Sequence, residues 1–334
     1  MAAPTMTPPA EAPHFLAESG WAGAEIRPLA GDASFRRYFR VHRGGETAVL
    51  MDAPPPHEDV GPFLKVTDHL LQRGFAPPRP LAVDRERGLL LLEDFGDDRV
   101  APLLRRQPER EREIYEAAVD IAVRLAGEPA PGDLAPYDAA ALQREVRLFT
   151  DWYAPALDLE VDEETYLAAW EESWGRVLDE TARAPVLVLR DFHADNLMVV
   201  DHLDQLGLLD YQDALAGHRA YDLVSLLQDA RRDVPPQLEE AMLGRFVDRA
   251  GIGDAGSFRA EYEVLGAQRN VKILGIFTRL WKRDGKPAYP AMHPRIWFYL
   301  ERNLAHPALA PVRAWFDANI PAEARGDAVA RRAA

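Results

Sequence analysis

The chain has 334 residues, 47% of them hydrophobic and 28% charged, and its formal net charge at pH 7 is −15. This composition is ordinary for a globular protein, and the length suggests about two domains. The acidic balance argues against nucleic acid or an anionic membrane surface as a partner, because both require a basic face. The chain has no cysteine, which excludes disulfides and cysteine-bound zinc. A small-molecule ligand is favoured, and no obligate protein partner is evident.

Residues 1–13 have neither a basic start nor a continuous apolar core. We therefore expect a disordered tail there rather than a signal peptide. No apolar run in the sequence reaches membrane-spanning length, so the expected location of the protein is the cytoplasm.

The N-terminal part of the chain predicts a small antiparallel sheet, because short apolar runs alternate with turn-forming residues. The predicted strands are 25–30, 35–42, 47–52, 81–84 and 89–92. A tight polar loop joins the first two strands and consists of Gly31, Asp32, Ala33 and Ser34. A helix is predicted at 60–73, and Gly74 ends it.

The second half of the chain is predicted to be mostly helical. Helical spacing of apolar residues covers 109–127, 142–152, 163–183, 223–230 and 237–319. In the last of these segments Arg269, Lys272 and Arg279 interrupt an apolar helix. A buried charge needs a partner, so these side chains either form internal salt bridges or reach into a pocket for a polar ligand.

Residues 186–213 contain the pattern around which the functional prediction is built. Two short apolar runs, 197–200 and 206–209, are separated by turn-forming residues and predict a hairpin. Asn196 and Asp210 flank this hairpin, so they should meet at its open end, and Asp191 lies on the loop that precedes it. Carboxylate and amide oxygens are suited to Mg²⁺, which leaves Asp191 to accept a proton.

This pattern resembles the catalytic loop and the metal-binding Asp of the protein-kinase-like fold. The run Arg-Asp-Phe-His-Ala-Asp-Asn at 190–196 is similar to the His-Gly-Asp-x-His-x-x-Asn loop of aminoglycoside phosphotransferases, and His193 matches the second His of that motif. Tyr221-Asp222-Leu223 resembles the Tyr-Asp-Leu that follows in those enzymes. Each motif alone is compatible with a solvated acidic hairpin that binds no metal, but their combination favours a kinase-like site.

The resemblance implies an α+β fold of the two-lobed protein-kinase-like type, with a small antiparallel sheet lobe and a larger helical lobe. The implied organisation is a disordered tail (1–13), a nucleotide-binding lobe (14–94), a hinge (95–98), a catalytic and acceptor-binding lobe (99–320) and a flexible tail (321–334). Asp191 would be the catalytic base, and Asn196 and Asp210 would hold Mg²⁺. Asp222 would support the catalytic loop by accepting backbone N–H groups, or would simply cap a helix.

The same resemblance assigns the nucleotide contacts. The loop at 31–34 would cover the phosphates of ATP, although a plain hairpin turn is nearly as compatible with its sequence. The hinge residues Glu93 and Phe95 would contact adenine through their backbone. The third strand lacks the usual phosphate-binding lysine and has Met51 there. Arg37 or Lys65 would replace the lost charge, or Arg37 is a solvated strand residue.

A narrower resemblance covers roughly residues 14–320. The stretches at 31–40, 50–55, 92–96, 191–197 and 269–275 are similar to those of bacterial N-acetylmuramate/N-acetylglucosamine anomeric kinases, which also have Leu-Met-Asp-Ala-Pro-Pro on the third strand. This implies ATP-dependent phosphorylation of the C1 hydroxyl of an N-acetylated amino sugar during peptidoglycan recycling. The candidate acceptor contacts are His193, Asp213, Arg269, Lys272 and Arg279; a surface turn is the alternative for Asp213.

Two other functions remain open from the sequence. One is another small-molecule kinase of the same fold, acting on an aminoglycoside, choline or homoserine. The other is a nucleotide-binding module without catalysis, which Met51 suggests.

Overall fold

The computed structural model of the chain describes residues 6–31, 35–201 and 203–333. It contains two compact units, one formed by residues 1–103 with 195–213 and the other by residues 104–194 with 214–334. The hairpin lies within the predicted C-terminal lobe, 99–320, whereas in the structure it is part of the first unit. The hairpin belongs to the first unit because Phe95 packs against Met198 and Val200 in one apolar cluster.

The first unit is built on a five-stranded antiparallel sheet with the strand order β1-β2-β3-β5-β4. Its elements in chain order are α1 (Ala12–Glu18), β1 (Glu25–Gly31), β2 (Arg37–Arg43), β3 (Glu46–Asp52), α2 (Val60–Gln72), β4 (Pro80–Asp84) and β5 (Leu89–Glu93). Helix α3 (Val100–Arg106) follows.

Alternation along the strands explains why this sheet has an apolar face. Phe39 and Val41 of β2 and Leu50 of β3 are fully buried on one side, where they pack with Phe15 of α1. Helix α2 begins after Asp59, whose side chain accepts a hydrogen bond from the backbone N–H of Gly61 at 2.8 Å.

The second unit is mostly helical. The elements up to the predicted catalytic loop are α4 (Glu111–Ala126), α5 (Ala139–Leu148), α6 (Ala154–Ala156), α7 (Glu163–Arg183) and β6 (Val186–Val188). The short hairpin of the first unit follows, formed by β7 (Leu197–Met198) and β8 (Gly207–Leu208). The remaining elements are β9 (Leu215–Gly217), α8 (Tyr221–Leu227), α9 (Pro236–Arg249), α10 (Ala255–Lys282), α11 (His293–Leu304), α12 (Ala310–Asn319) and α13 (Ala328–Ala333).

Helix α10 is the central helix of the second unit, and most of its side chains are buried. It approaches the end of α5 so closely that a Cβ at Gly275 would lie 2.2 Å from the carbonyl oxygen of Leu148. At that point the chain makes a π-helical turn, Phe149–Tyr153, between α5 and α6. This close contact fixes α5 and α10 beside one another, and both helices carry charged residues of the candidate site.

The structure bears on the predicted C-terminal tail and on whether any helix could span a membrane. The segment 321–334 was predicted to be a flexible tail, but its described part includes helix α13, in which Val329 is fully buried. Among the residues that the structure describes, no helix combines the length and apolarity needed to cross a membrane.

Candidate active site

The predicted catalytic loop leaves strand β6 in the second unit and is held by a buried carboxylate. Asp222, in the first turn of α8, accepts hydrogen bonds from the backbone N–H groups of Leu189 at 2.8 Å and Arg190 at 2.9 Å. Arg190 has a φ of 72°, in the left-handed region, so the loop turns sharply just before Asp191. Ser225 of α8 also donates to the carbonyl of Arg190 at 3.1 Å. These contacts are the geometry that the predicted supporting role of Asp222 requires.

Asp191 has a carboxylate that is about half exposed, with 49% of its side-chain surface accessible. One of its oxygens lies 3.9 Å from a guanidinium nitrogen of Arg269, which is buried. Burial by itself would raise the pKa of Asp191, but the surrounding positive charges, led by Lys272, hold that pKa below its ordinary value. The carboxylate is therefore ionised at neutral pH and able to accept a hydrogen bond.

The cations near Asp191 are organised by Glu145 of α5. One oxygen of Glu145 lies 3.0 Å from the ammonium of Lys272 and 2.6 Å from a guanidinium nitrogen of Arg190. The other oxygen accepts from the side chain of Gln268 at 2.9 Å and from the hydroxyl of Tyr137. Burial opposes ionisation of Glu145, but Lys272 and Arg190 outweigh it and lower its pKa to about 2.

The sequence left two interpretations of the cations in α10, namely internal salt bridges or contacts with a polar ligand. Lys272 forms an internal salt bridge with Glu145 and also donates to the hydroxyl of Tyr221 at 3.2 Å. Arg269 differs, because its Nη1 is buried without a hydrogen-bond partner among the residues described. An unsatisfied buried donor beside the half-exposed Asp191 is suited to a polar group of a ligand.

His193 lies on the same loop and is also buried. Its Nε2 is 3.1 Å from a guanidinium nitrogen of Arg231, which can only donate, so this ring nitrogen is the acceptor and Nδ1 carries the hydrogen. Burial lowers the pKa of His193, which keeps the ring neutral. Nδ1 has no hydrogen-bond partner in the described part of the chain. Sequence reasoning missed Arg231, and no local motif marks it.

Arg279 is separated from this group. It lies ten residues after Arg269 on the same helix, which corresponds to about 15 Å along the helix axis. The structure therefore brings Asp191, His193, Arg269 and Lys272 into one neighbourhood and places Arg279 further along α10.

The predicted metal ligands lie in the first unit, at the hairpin β7–β8. The amide nitrogen of Asn196 is 3.5 Å from a carboxylate oxygen of Asp210, and Leu209 donates its backbone N–H to the carbonyl of Asn196 at 2.9 Å. The side chain of Gln212 donates to Asp210 at 2.8 Å and, more weakly, to the exposed Asp213 at 3.4 Å. Asp213 is thus part of the polar surroundings of Asp210.

The donor set at this hairpin fits Mg²⁺. It combines a carboxylate, an amide group at Asn196 and the side-chain oxygen of Gln212, which is buried without a hydrogen-bond partner among the residues described. Mg²⁺ prefers oxygen ligands and takes much of its coordination from water and phosphate, so few protein groups suffice. Gln212 was missed from the sequence, although its position two residues after Asp210 marks it.

The predicted nucleotide contacts are also in the first unit. Asp32, Ala33 and Ser34 lie outside the described residues, while Gly31 ends β1 opposite Arg37. The guanidinium of Arg37 binds the carboxylate of Asp52, with Nε at 2.8 Å. Binding of the ATP phosphates by Arg37 stays a prediction.

The hinge residues have defined packing and backbone contacts. Glu93 donates its backbone N–H to the carbonyl of Arg79 at 2.9 Å. The ring of Phe95 is buried against the hairpin, where a Cβ at Gly207 would come within 2.7 Å of it. Gly207 therefore allows the ring to lie directly on β8.

These features define the class of protein. The chain belongs to the phosphotransferase enzyme family, whose sequence model matches residues 25–260, and it is an ATP-dependent kinase. Its relatives narrow this class. The N-acetylmuramate/N-acetylglucosamine kinase of Caulobacter vibrioides is 36% identical over 93% of this chain and 96% of its own length. The protein of the same name from Pseudomonas aeruginosa is 40% identical over 89% of this chain and 90% of its own length. The resemblance inferred from the sequence is confirmed.

Solved structures agree on the fold. The gentamicin complex of APH(2")-IIa has a TM-score of 0.59 at 13% identity and covers 92% of this chain and 99% of its own. The choline kinase LicA from Streptococcus pneumoniae also has a TM-score of 0.59, at 12% identity, and covers 90% of this chain and 98% of its own. The predicted α+β, protein-kinase-like fold is confirmed.

Proposed function

We propose that this kinase transfers the γ-phosphoryl group of ATP to the anomeric C1 hydroxyl of N-acetylmuramate, N-acetylglucosamine or both. The names of its relatives support the amino-sugar acceptor. The observation that carries the chemistry is Asp191, an ionised and half-exposed carboxylate on a loop supported by Asp222. A reaction in the cytoplasm on sugars recovered from peptidoglycan follows as part of the proposal. It involves only small molecules, without nucleic acid or a membrane.

The second unit supplies the base and the acceptor contacts in this proposal. Asp191 accepts the proton of the C1 hydroxyl as the oxygen of that hydroxyl attacks phosphorus. The anomeric hydroxyl is more acidic than the ring alcohols, so a carboxylate of low pKa is a sufficient base. Arg269 and the Nδ1–H of His193 donate hydrogen bonds to polar groups of the sugar.

The first unit supplies the metal and nucleotide contacts. Asn196 and Asp210 would hold Mg²⁺, and Gln212 would offer a further oxygen. Bound Mg²⁺ neutralises the phosphate charge that develops during transfer. Glu93 and Phe95 stay predicted as the hinge contacts of adenine.

One observation favours an amino sugar over the cationic acceptors of other small-molecule kinases. Of the three cations near Asp191, Lys272 and Arg190 are paired with Glu145, whereas Arg269 keeps one buried nitrogen, Nη1, without a hydrogen-bond partner among the residues described. This N–H group beside Asp191 suits the acetamido oxygen of an N-acetyl hexosamine or the lactyl carboxylate of N-acetylmuramate, whereas choline offers neither group.

The test is direct identification of the product. The protein is incubated with Mg-ATP and N-acetylmuramate, N-acetylglucosamine or glucose, and phosphorus and proton NMR locate the new phosphate. We expect a sugar 1-phosphate from the N-acetylated sugars and much less product from glucose, because a site built for an amide rejects analogues that lack it. Phosphate on O6, or transfer only to an aminoglycoside or choline, would contradict the proposal.

A further inference from the structure

Arg36, the residue before β2, is a buried arginine with acidic neighbours from two other segments of the first unit. Only 8% of its surface is exposed. Its Nε lies 3.7 Å from a carboxylate oxygen of Glu58, which precedes α2, and its Nη2 lies 4.0 Å from a carboxylate oxygen of Asp210. Glu58 is itself anchored, because its other oxygen accepts the backbone N–H of Phe35 at 3.2 Å.

The position of Arg36 matters because Asp210 is the proposed metal ligand. Asp210 would hold a Mg²⁺ that binds phosphate oxygens, so the guanidinium 4.0 Å from this carboxylate lies on the side of the sheet where the phosphates of a nucleotide are expected. Guanidinium is planar and presents several donors, which suits it to two oxygens of a phosphate at once.

Two other positions that bear on the phosphate charge, Met51 and Arg37, are placed differently. Met51 of β3 is apolar and fully buried. Arg37, the first residue of β2, binds Asp52, whereas Arg36 lies near the proposed metal ligand Asp210.

We propose that Arg36 binds the terminal phosphates of the nucleotide and that Glu58 is the positioning residue that orients its guanidinium. This inference rests on the proposed function, because it requires that the first unit binds ATP. In this proposal Arg36, just before β2, neutralises the phosphate charge that a lysine on the third strand would otherwise neutralise. Its acidic partner, Glu58, lies just before α2.

The test compares two adenine ligands that differ only in phosphate content. Calorimetry measures the binding of ADP and of adenosine, without metal and with Mg²⁺, to the wild type and to Arg36→Ala, Arg36→Lys, Arg37→Ala and Glu58→Gln. In Arg36→Ala we expect ADP affinity to fall about tenfold or more, the size of a lost charged hydrogen bond, while adenosine affinity stays within about twofold. Arg36→Lys should lose less than Arg36→Ala, because it keeps the charge without the planar fork.

Glu58→Gln separates the positioning role from direct binding. It keeps a group able to accept the N–H of Phe35 but removes the charge beside Arg36. We expect a smaller selective loss of ADP affinity, and no further loss when it is combined with Arg36→Ala. The matched control is Arg43→Ala, on the same strand and paired with Glu46, which should bind both ligands as the wild type does.

The outcomes are distinct. A wild type that does not bind ADP would overturn the proposed function itself. If the wild type, Arg36→Ala and Arg36→Lys all bind ADP equally well, only the assignment of Arg36 is overturned. An equal loss of adenosine and ADP affinity would indicate a merely structural role. A selective loss in Arg37→Ala instead of Arg36→Ala would transfer the assignment to Arg37.

Discussion

A guanidinium nitrogen of Arg269 lies 3.9 Å from the carboxylate of Asp191, so the proposed base has a buried cation as its neighbour. Together with Lys272, which has the larger influence, this pairing lowers the pKa of Asp191, because nearby opposite charges favour the charged form. It also means that the same guanidinium can contact a sugar that approaches Asp191. Both consequences can be measured separately.

Replacing Arg269 with Gln should change the pH dependence and the acceptor affinity together. Arg269 lowers the pKa of Asp191, so its removal raises that pKa and shifts the acid limb of the kcat/KM profile to higher pH. The KM for N-acetylmuramate should rise about tenfold. The KM for N-acetylglucosamine should rise less, because only N-acetylmuramate has a lactyl carboxylate that loses its cation. Arg259→Gln is the control, because Arg259 of the same helix pairs with Glu240 and Glu263. An unshifted acid limb would show that Arg269 does not tune Asp191.

Substitutions of Asp191 and Asp210 should affect phosphoryl transfer and Mg-ATP binding differently. Asp191→Asn should abolish phosphoryl transfer while Mg-ATP affinity stays within about a few-fold, because this carboxylate acts on the acceptor. Asp210→Ala should weaken Mg-ATP binding as well, because it removes a metal ligand. Calorimetry of Mg-ATP binding and a single-turnover assay measure the two effects. Equal losses of ATP affinity in both variants would show that the roles are wrongly assigned.

Glu145 should contribute to stability in a defined pH range. Its pKa falls from an ordinary value of 4.5 in the unfolded chain to about 2 in the folded protein. The contribution is therefore fully present above pH 4.5 and is lost as the pH falls towards 2. Glu145→Gln leaves Lys272 and Arg190 without their carboxylate and should lower the free energy of unfolding by about 3 kcal/mol at neutral pH.

The measurement is denaturant unfolding of the wild type and Glu145→Gln at several pH values. The variant should show a flatter dependence between pH 4.5 and 2, where the wild type loses the contribution of Glu145. Glu172→Gln is the control, because Glu172 is exposed on α7. Parallel curves for the wild type and Glu145→Gln would indicate that another group dominates the acid response.

Two glycine substitutions on helices should act in opposite directions. Gly275→Ala places a Cβ 2.2 Å from the carbonyl oxygen of Leu148, so α10 and the turn after α5 must move apart at a cost of about 1–3 kcal/mol or more. Gly244→Ala on α9 meets nothing within 4 Å and should stabilise by about 0.4–1 kcal/mol through helix propensity and reduced unfolded-state entropy. Thermal and denaturant unfolding measure both. Similar changes in the two variants would contradict the close contact at Gly275.

The amino-acid sequence by itself determined the features that depend on short separations along the chain. Asn196 and Asp210 flank a predicted hairpin, and the structure brings their side chains to 3.5 Å. The strands β1 to β3 and the helix α2 follow from alternating and helical apolar patterns for the same local reason. The motif that contains Asp191 was recognisable because its residues are consecutive.

Only the tertiary structure decided which distant groups surround these residues. The sequence proposed Arg37 or Lys65 for the phosphate, but the folded chain places Arg36 beside Glu58 and Asp210, residues that are distant from it in the sequence. Glu145 meets Arg190 across 45 positions of sequence, and no local pattern links them. The partner of a buried charge is set by which helices pack together, and that choice depends on the whole core. Local periodicity specifies elements and motifs, whereas the charge pairs that tune the base and the metal ligand arise only when those elements pack.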